Sequence, residues 1–130
     1  MKFFGEIKNL SQSFTWLMFK DNFFRVNFFL SIIFNFLIWV VIAWKFIPLV
    51  TPGEPLPLHF NIYFGIDFIG EWYKLLFIPL LGIIFIFTNF ILADIAYLRD
   101  KIVSYFLLGA SVFAQIILFL AVYMIILINL

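Results

Sequence analysis

His59 and Asp67 are the two residues whose side chains and spacing most readily suggest chemistry, and His59 is the single histidine of the chain. Both lie in the segment PLHFNIYFGIDFIG, residues 57–70. An imidazole and a carboxylate can act as metal ligands or as an acid–base pair. They can also hold a loop in place through a hydrogen bond, or they can contact a partner. Which of these roles applies depends on the other metal-ligating and catalytic side chains that the chain contains.

Metal binding and catalysis are the less favoured roles for this pair. The chain has no cysteine, which excludes a thiolate metal site, and Glu54 or Glu71 would have to complete a ligand set. The sequence also lacks the nucleophile and metalloprotease patterns G-x-S-x-G and H-E-x-x-H. We therefore expect no metal, no cofactor and no enzymatic activity. Pinning of a loop and recognition of a partner both remain open.

The composition predicts that lipid surrounds most of the chain. Hydrophobic residues make up 66% of the sequence and charged residues 12%, with a mean hydropathy of +1.18. A soluble domain is about half apolar and about a quarter charged. We therefore predict an all-α integral membrane protein, a single membrane domain over residues 1–130, with the lipid bilayer as its first partner. The formal net charge of +1, without a run of Lys or Arg, predicts no nucleic-acid partner.

Three apolar stretches are long enough to cross a bilayer core, which requires about 20 residues per helix. They cover residues 26–48, 75–93 and 102–128. The segment 1–25 before them is interrupted by polar residues, and its apolar residues recur at helical spacing: Phe3, Ile7, Leu10, Phe14, Leu17 and Met18. This spacing favours an amphipathic helix in the membrane interface, with Trp16 near the headgroups, over a loosely ordered tail.

The basic residues that flank the spans predict the orientation of the chain. One side would carry Lys2, Lys8, Lys20, Arg25, Arg99 and Lys101, and the other side would carry Lys45 and Lys74. The side richer in Lys and Arg is expected to be cytoplasmic. We therefore predict a multi-pass protein of a cell membrane with a cytoplasmic N-terminus. The loop 49–74 and the C-terminus would be extracytoplasmic.

Polar side chains inside the spans are expected to face other helices, because lipid offers no hydrogen bonds. The candidates are Asn27, Ser31 and Asn35 on the first span, Thr88 and Asn89 on the second, and Ser111 and Gln115 on the third. The first three are spaced four residues apart and share one helix face. They indicate packing contacts between helices. A polar path for a solute is the alternative, disfavoured because no charged residue lies deep in a span.

The loop before the second span has the pattern of extended chain. Residues 51–57, TPGEPLP, cannot continue a helix because of their three prolines. Apolar residues then alternate with His59, Asn61, Tyr63, Gly65 and Asp67. Alternation predicts a short strand, or a bent hairpin with a turn near Gly65, that rests its apolar face on the membrane or on the helix tops.

Six residues of this loop form the pattern P-x-H-F-N-x5-D-x2-G: Pro57, His59, Phe60, Asn61, Asp67 and Gly70. The pattern resembles the DUF1648 domain of bacterial multi-pass membrane proteins, which include relatives of SdpI-type immunity proteins. The segment is also similar to small membrane proteins of small-genome bacteria that carry a PLHYNIYFGID-like sequence. The family glycine falls one position before Gly65, and its basic residue is displaced here. The resemblance implies a bacterial cytoplasmic membrane and supplies no catalytic residues.

The predicted function is therefore non-enzymatic. We expect a binding, sensor, immunity-type or accessory-subunit protein that meets a protein or peptide partner at the outer face. The loop residues expected to make this contact are Pro57, His59, Asn61, Asp67 and Gly70. Apolar outer faces of the helices would also suit a homo- or hetero-oligomer. The alternative is a small transporter or channel component, an oligomer lined by Asn35, Ser111 and Gln115.

Overall fold

The computed structural model describes residues 14–130, which form four helices and one two-stranded hairpin. Helix α1 covers 14–20 of the described chain. The other elements are α2 (Asn22–Val41), a π-helical turn (Ile42–Phe46), a 3-10 turn (Ile47–Leu49), β1 (Leu56–Asn61), β2 (Gly65–Gly70), a second 3-10 turn (Trp72–Leu76), α3 (Phe77–Tyr97) and α4 (Lys101–Ile128).

Three helical stretches are long and apolar enough to span a membrane: Asn22–Leu49, Trp72–Tyr97 and Lys101–Ile128. They contain the three predicted spans, so the predicted helical architecture is confirmed. The first stretch begins four residues earlier than predicted, because Asp21 caps it. The Oδ1 atom of Asp21 accepts the backbone N–H of Phe24 at 3.1 Å, as expected of an N-cap aspartate.

A short turn joins α3 to α4 and makes them antiparallel neighbours. Helix α3 ends at Tyr97, and Asp100 already caps α4, with its Oδ1 atom accepting the N–H groups of Ile102 and Val103 at 2.9 and 3.2 Å. We call this the turn end of the helix bundle, and we call the opposite end, where β1 and β2 lie, the hairpin end.

The π-helical turn keeps the end of the first span directed into the core. Ile38, Ile42 and Phe46 follow one another at four-residue spacing, and each is at most 1% exposed. A regular α-helix would carry Phe46 about 80° around the axis from Ile38. A π turn winds less per residue and returns Phe46 toward the same face. These three side chains pack with Leu58, Leu75, Val122 and Ile126 into the hairpin-end core.

A second apolar cluster, the turn-end core, lies at the other end of the bundle. It contains Leu17, Phe24, Ile86, Phe90, Ala93 and Leu108. Helix α1 contributes Leu17, which is 1% exposed, and the ring of Phe14 packs edge-on at 5.5 Å against Phe24 and Phe28. The described part of the predicted amphipathic helix thus packs its apolar face on the protein itself. Residues 1–13, which include Phe3, Ile7 and Leu10, lie outside the described chain.

The hairpin alternative for the loop before the second span is confirmed. Strands β1 and β2 are antiparallel, with Leu56 paired to Gly70 and Asn61 paired to Gly65. The turn is made by residues 62–64: the Asn61 side-chain oxygen accepts the N–H of Tyr63 at 2.8 Å, and Gly65 has a φ of +73°. This left-handed φ suits glycine and is typical of three-residue hairpin loops.

The alternation predicted for the strands is interrupted by one bulge on each strand. The register shifts between Pro57 and His59, and again between His59 and Phe60, which leaves Leu58 on β1 and Asp67 on β2 without opposite partners. The two bulges compensate, so the strand pairing is in the same register at both ends.

The hairpin is attached to the helices mainly at its base. Leu58 is 7% exposed within the hairpin-end core, and the Asn129 side chain donates to the carbonyl of Pro57 at 2.7 Å. The predicted contact of the apolar face with the helix tops therefore holds for Leu58. Most of the other apolar side chains of the hairpin are exposed, namely Phe60, Ile62, Phe64, Ile66, Phe68 and Ile69.

Candidate functional site

The His59–Asp67 pair forms on the hairpin as the sequence suggested. The His59 Nδ1 and Asp67 Oδ1 atoms are 2.6 Å apart, and the side chains are 63% and 35% exposed. His59 is opposite Phe68, and the bulge at Asp67 places its carboxylate beside that pairing position. The contact fixes the orientation of the imidazole ring and occupies one of its two nitrogens. Among the described residues, the Nε2 atom has no hydrogen-bond partner.

Two apolar grooves border the hairpin, and His59 lines both of them. The first, which we call the α4 groove, has a volume of about 440 Å³ and is lined by His59, Phe60, Ala121, Met124, Ile125, Leu127 and Ile128. The second, which we call the Lys74 groove, has a volume of about 370 Å³ and is lined by Leu58, His59, Phe68, Lys74, Leu75, Ile78 and Ile125. The imidazole is thus a polar group in the lining of both apolar grooves.

The α4 groove runs along the side of α4. Its helical lining extends from Ala121 to Ile128, which is about 10 Å of helix at 1.5 Å per residue. His59 and Phe60 of β1 lie across this length, so the hairpin covers the flank of the last two turns of α4.

The other predicted loop residues shape the hairpin. Pro57 uses its carbonyl to accept from Asn129, and Asn61 bonds the turn backbone. Gly70 is buried, and a Cβ atom there would lie 3.1 Å from the Leu58 side chain and 3.2 Å from that of Lys74. These residues position the pair, whereas His59 lines the grooves.

The carboxylates considered as further metal ligands do not join the pair. Within residues 14–130, no three His, Asp or Glu side chains gather into a group that would hold a metal ion. Glu54 and Glu71 therefore do not complete a ligand set with His59 and Asp67.

A hydrogen-bonded network links the three long helices midway along the bundle. The Asn35 side-chain nitrogen donates to Gln115 Oε1 at 3.1 Å and to the carbonyl of Pro79 at 3.0 Å. The Gln115 side-chain nitrogen donates to the carbonyl of Gly82 at 3.0 Å. Asn35 and Gln115 thus bridge α2 and α4 and bind the backbone of α3.

The other polar residues predicted to face helices fall into three groups. Ser31 and Ser111 are fully buried and lie 3.3 Å apart, oxygen to oxygen, across α2 and α4. Asn27 is also buried but donates to the carbonyl of Phe23 on its own helix at 2.8 Å. Asn89 is buried on α3, whereas Thr88 is exposed on that helix and does not join the buried set.

Gly82 also belongs to this network, and the sequence did not single it out. A Cβ atom on Gly82 would lie 2.5 Å from the Asn35 Nδ2 atom and 2.7 Å from the Gln115 Oε1 atom. Such distances are far shorter than van der Waals contact. The absence of a side chain at this position is therefore what lets the two amides meet beside α3. Glycine is common in membrane helices, so the sequence carried no signal for this role.

A second polar cluster, absent from the sequence predictions, closes the turn end. The Asp21 Oδ2 atom accepts hydrogen bonds from the hydroxyls of Tyr97 and Tyr105, both at 2.6 Å, and lies 3.7 Å from the Lys101 ammonium. Burial alone would raise the pKa of Asp21, but the bonds from Tyr105, Tyr97 and the Phe24 N–H lower its pKa to about 2. Asp21 lies before an apolar run, which is a local sequence signal for a helix cap. Its tyrosine partners lie about 80 residues later in the chain, so no local pattern indicates them.

Comparison with known proteins adds no family assignment. No family model matches the chain, and no curated protein or solved structure matches it. The resemblance of residues 57–70 to the DUF1648 domain stays a prediction.

Proposed function

We propose that this protein is a non-enzymatic binding protein of a bacterial cell membrane that captures an extended, apolar peptide segment of a partner at its outer face. The peptide would lie in the α4 groove, and His59 would provide the polar contact. The observation that carries this proposal is the position of His59, which lines the groove while Asp67 holds its Nδ1 atom at 2.6 Å.

The His59–Asp67 contact prepares the imidazole for recognition. A neutral imidazole that donates its Nδ1–H to a carboxylate has Nε2 as an acceptor. In the described part of the chain this Nε2 atom has no partner, and the side chain is 63% exposed. It can therefore accept a hydrogen bond from a ligand N–H or O–H without breaking any contact within the hairpin.

Strand β1 supplies a backbone edge beside the groove. A two-stranded sheet leaves the outer edge of each strand unpaired, and such edges bind extended peptides by strand addition. The carbonyl of Pro57 on β1 already accepts from Asn129 at the end of α4, so this edge is the one next to α4. An extended peptide would pair with the backbone of β1 and place apolar side chains against Met124 and Leu127.

The polar residues of the spans favour this proposal over transport. Asn35, Gln115, Ser31 and Ser111 bond one another or the backbone of α3. Groups that are paired in this way stabilise helix contacts and are not free to bind a passing solute. The grooves, by contrast, lie at the hairpin end and have an exposed polar group in His59.

The outer location rests on the distribution of basic residues. The turn end carries Lys20, Arg25, Arg99 and Lys101 within the described chain, and the hairpin end carries Lys45 and Lys74. The end with more Lys and Arg is expected in the cytoplasm. The hairpin end would therefore face the outside.

Photo-crosslinking in intact membranes tests the proposal. A photoreactive amino acid would replace Phe60 or Met124, which line the α4 groove, and Phe113 would be the control, since it is 65% exposed on α4 but outside the groove. We expect a peptide or protein adduct of discrete mass from positions 60 and 124, identified by mass spectrometry, and none from position 113.

Two substitutions show whether the adduct depends on the groove. Ala121→Phe would fill the groove and His59→Ala would remove the polar contact, so both should lower the adduct yield. Leu120→Phe enlarges a neighbouring residue that is 51% exposed outside the groove, and it should leave the yield unchanged. Adducts that contain lipid or a second copy of this chain alone would refute the proposal, and so would equal yields in all variants.

A further inference from the structure

We infer that the Lys74 groove binds the headgroup and one chain of an anionic phospholipid from the surrounding leaflet. This groove shares His59 and Ile125 with the α4 groove, but its lining alone contains Lys74, and the inferred lipid binding does not depend on a peptide partner. Its ligand would present a phosphate to the Lys74 ammonium and an apolar chain to the floor of the groove.

The Lys74 side chain is held at the mouth of this groove without a carboxylate partner. Its ammonium lies 5.3 Å from the centre of the Phe68 ring, a favourable cation–π distance. Gly70 leaves room for it, because a Cβ atom there would be 3.3 Å from the Lys74 nitrogen. No Asp or Glu of the described residues forms an ion pair with Lys74. A positive charge is thus fixed in place and left for an external anion.

The floor of the groove is suited to a hydrocarbon chain. It is formed by Leu58, Leu75, Ile78 and Ile125, and the groove holds about 370 Å³. A cation at the mouth and apolar side chains below it complement an anionic amphiphile. The 3-10 turn that carries Lys74 also carries Trp72 and Tyr73, which are 36% and 49% exposed. Tyr and Trp are enriched at headgroup depth, so this level is where a lipid phosphate would lie.

Lys45 provides a matched comparison at the same end of the bundle. Its ammonium lies 5.0 Å from the centre of the Trp44 ring, so both lysines stack on an aromatic ring. Lys45 is not part of the lining of the Lys74 groove. A headgroup site in this groove must therefore depend on Lys74 and not on Lys45.

Native mass spectrometry of the full chain in detergent, titrated with lipid, tests the inference. The probes are phosphatidylglycerol and phosphatidylcholine with the same acyl chains, and glycerol phosphate as a headgroup without chains. The wild type should bind the first phosphatidylglycerol more tightly than phosphatidylcholine and should not bind glycerol phosphate. Lys74→Met should weaken the first phosphatidylglycerol site about fivefold, the factor for one lysine at an anionic surface. Lys45→Met should leave that site unchanged.

The cations at the turn end also attract anionic lipid. The test therefore compares the affinities of the two lysine variants for the first phosphatidylglycerol. Equal binding by Lys74→Met and Lys45→Met would overturn the inference, and so would equal affinity of the wild type for the two lipids. Phe68→Leu removes the ring that holds Lys74 but keeps the charge, and it should weaken the site as well. Since no peptide is present, failure here would leave the crosslinking result at the α4 groove untouched.

Discussion

The side-chain amides of Asn35 and Gln115 meet at 3.1 Å between α2 and α4, directly beside Gly82 of α3. Both amides also donate to backbone carbonyls of α3. Three helices therefore share one polar contact, which fixes how far each helix is shifted along the others. This relative position determines where the hairpin and its grooves lie.

Gly82→Ala should destabilise the bundle, because the added Cβ atom would lie 2.5 Å from the Asn35 nitrogen. We expect a loss of about 1–3 kcal/mol in the free energy of unfolding, as for overpacked cores. Gly109→Ala on α4 is the matched control, since a Cβ atom there has no neighbour within 4 Å. Unfolding in mixed micelles, followed by circular dichroism, compares the two. Equal effects would show that Gly82 has no special role.

Asn35→Leu and Gln115→Leu should each weaken the bundle, and the double variant should lose less than the sum of the two. Each single change leaves the other amide without its partner, whereas the double change removes both. Hydrogen bonds between membrane helices average about 0.6 kcal/mol and reach about 1.7 kcal/mol, which sets the coupling expected from a double-mutant cycle. Thr88→Leu, at an exposed position of α3, should be neutral. Additive losses at positions 35 and 115 would contradict the network.

The sequence predicted the elements of this fold well because each has a local signal. Apolar length predicted the three spans, and the four-residue spacing of Asn27, Ser31 and Asn35 predicted one buried face. A hairpin with a turn near Gly65 was one of the two alternatives that the alternating loop residues predicted. These features depend on residues close together in the chain, so one sequence is enough to read them.

The features that the sequence did not predict depend on contacts between residues that are distant in the chain. The clash at Gly82 involves Asn35 and Gln115, each more than 30 residues away, and no local pattern announces it. The same holds for Asp21 and its two tyrosines. The bulges at Leu58 and Asp67 break the alternation from which the strands were predicted, so the grooves beside His59 could not be foreseen.

The Asp21 cluster should make stability depend on pH in the acid range. The pKa of Asp21 is lowered from 3.8 to about 2, so the folded state favours the ionised carboxylate. Its contribution is fully present above the unfolded pKa and is lost as the pH falls through the folded pKa, with a size of about 2 kcal/mol. Thermal unfolding in detergent between pH 6 and pH 2 should therefore show a steeper loss for the wild type than for Asp21→Asn.

The tyrosine donors provide the control for this pH dependence. Tyr97→Phe removes one hydrogen bond to Asp21 and raises its folded pKa, so the acid loss of stability should be smaller than in the wild type and should end at higher pH. Tyr123→Phe changes an exposed tyrosine of α4 and should leave the profile unchanged. If Asp21→Asn follows the wild-type profile throughout, other carboxylates cause the acid sensitivity.

The predicted orientation can be checked with single cysteines, because the chain has none of its own. Tyr63 at the tip of the hairpin is 87% exposed, and Arg99 lies in the exposed turn between α3 and α4. A membrane-impermeant maleimide should label Tyr63→Cys in intact cells and Arg99→Cys after permeabilisation. The reverse pattern would place the hairpin in the cytoplasm, and both the peptide and the lipid site would then face the inner side.

Protease sensitivity separates two roles for the His59–Asp67 pair, pinning of the hairpin and recognition of a partner. Leu58 is 7% exposed in the hairpin-end core, and Leu58→Ala should cost about 2–5 kcal/mol. The His59–Asp67 pair is largely exposed, with side chains 63% and 35% accessible, and such pairs contribute about 0–1 kcal/mol. Chymotrypsin should therefore cut the tip at Tyr63 and Phe64 faster in Leu58→Ala, and at the wild-type rate in Asp67→Asn.

Crosslinking from position 60 provides the second measurement that distinguishes pinning from recognition. Asp67→Asn weakens the acceptor that orients His59, so it should lower the adduct yield while the hairpin stays resistant to protease. This combination would show that the carboxylate orients the imidazole and is not needed for the fold of the strands. If Asp67→Asn instead speeds cleavage as much as Leu58→Ala, the pair is a structural pin, and the lost adduct would follow from a loosened hairpin. The two measurements on one variant thus decide which role the pair has.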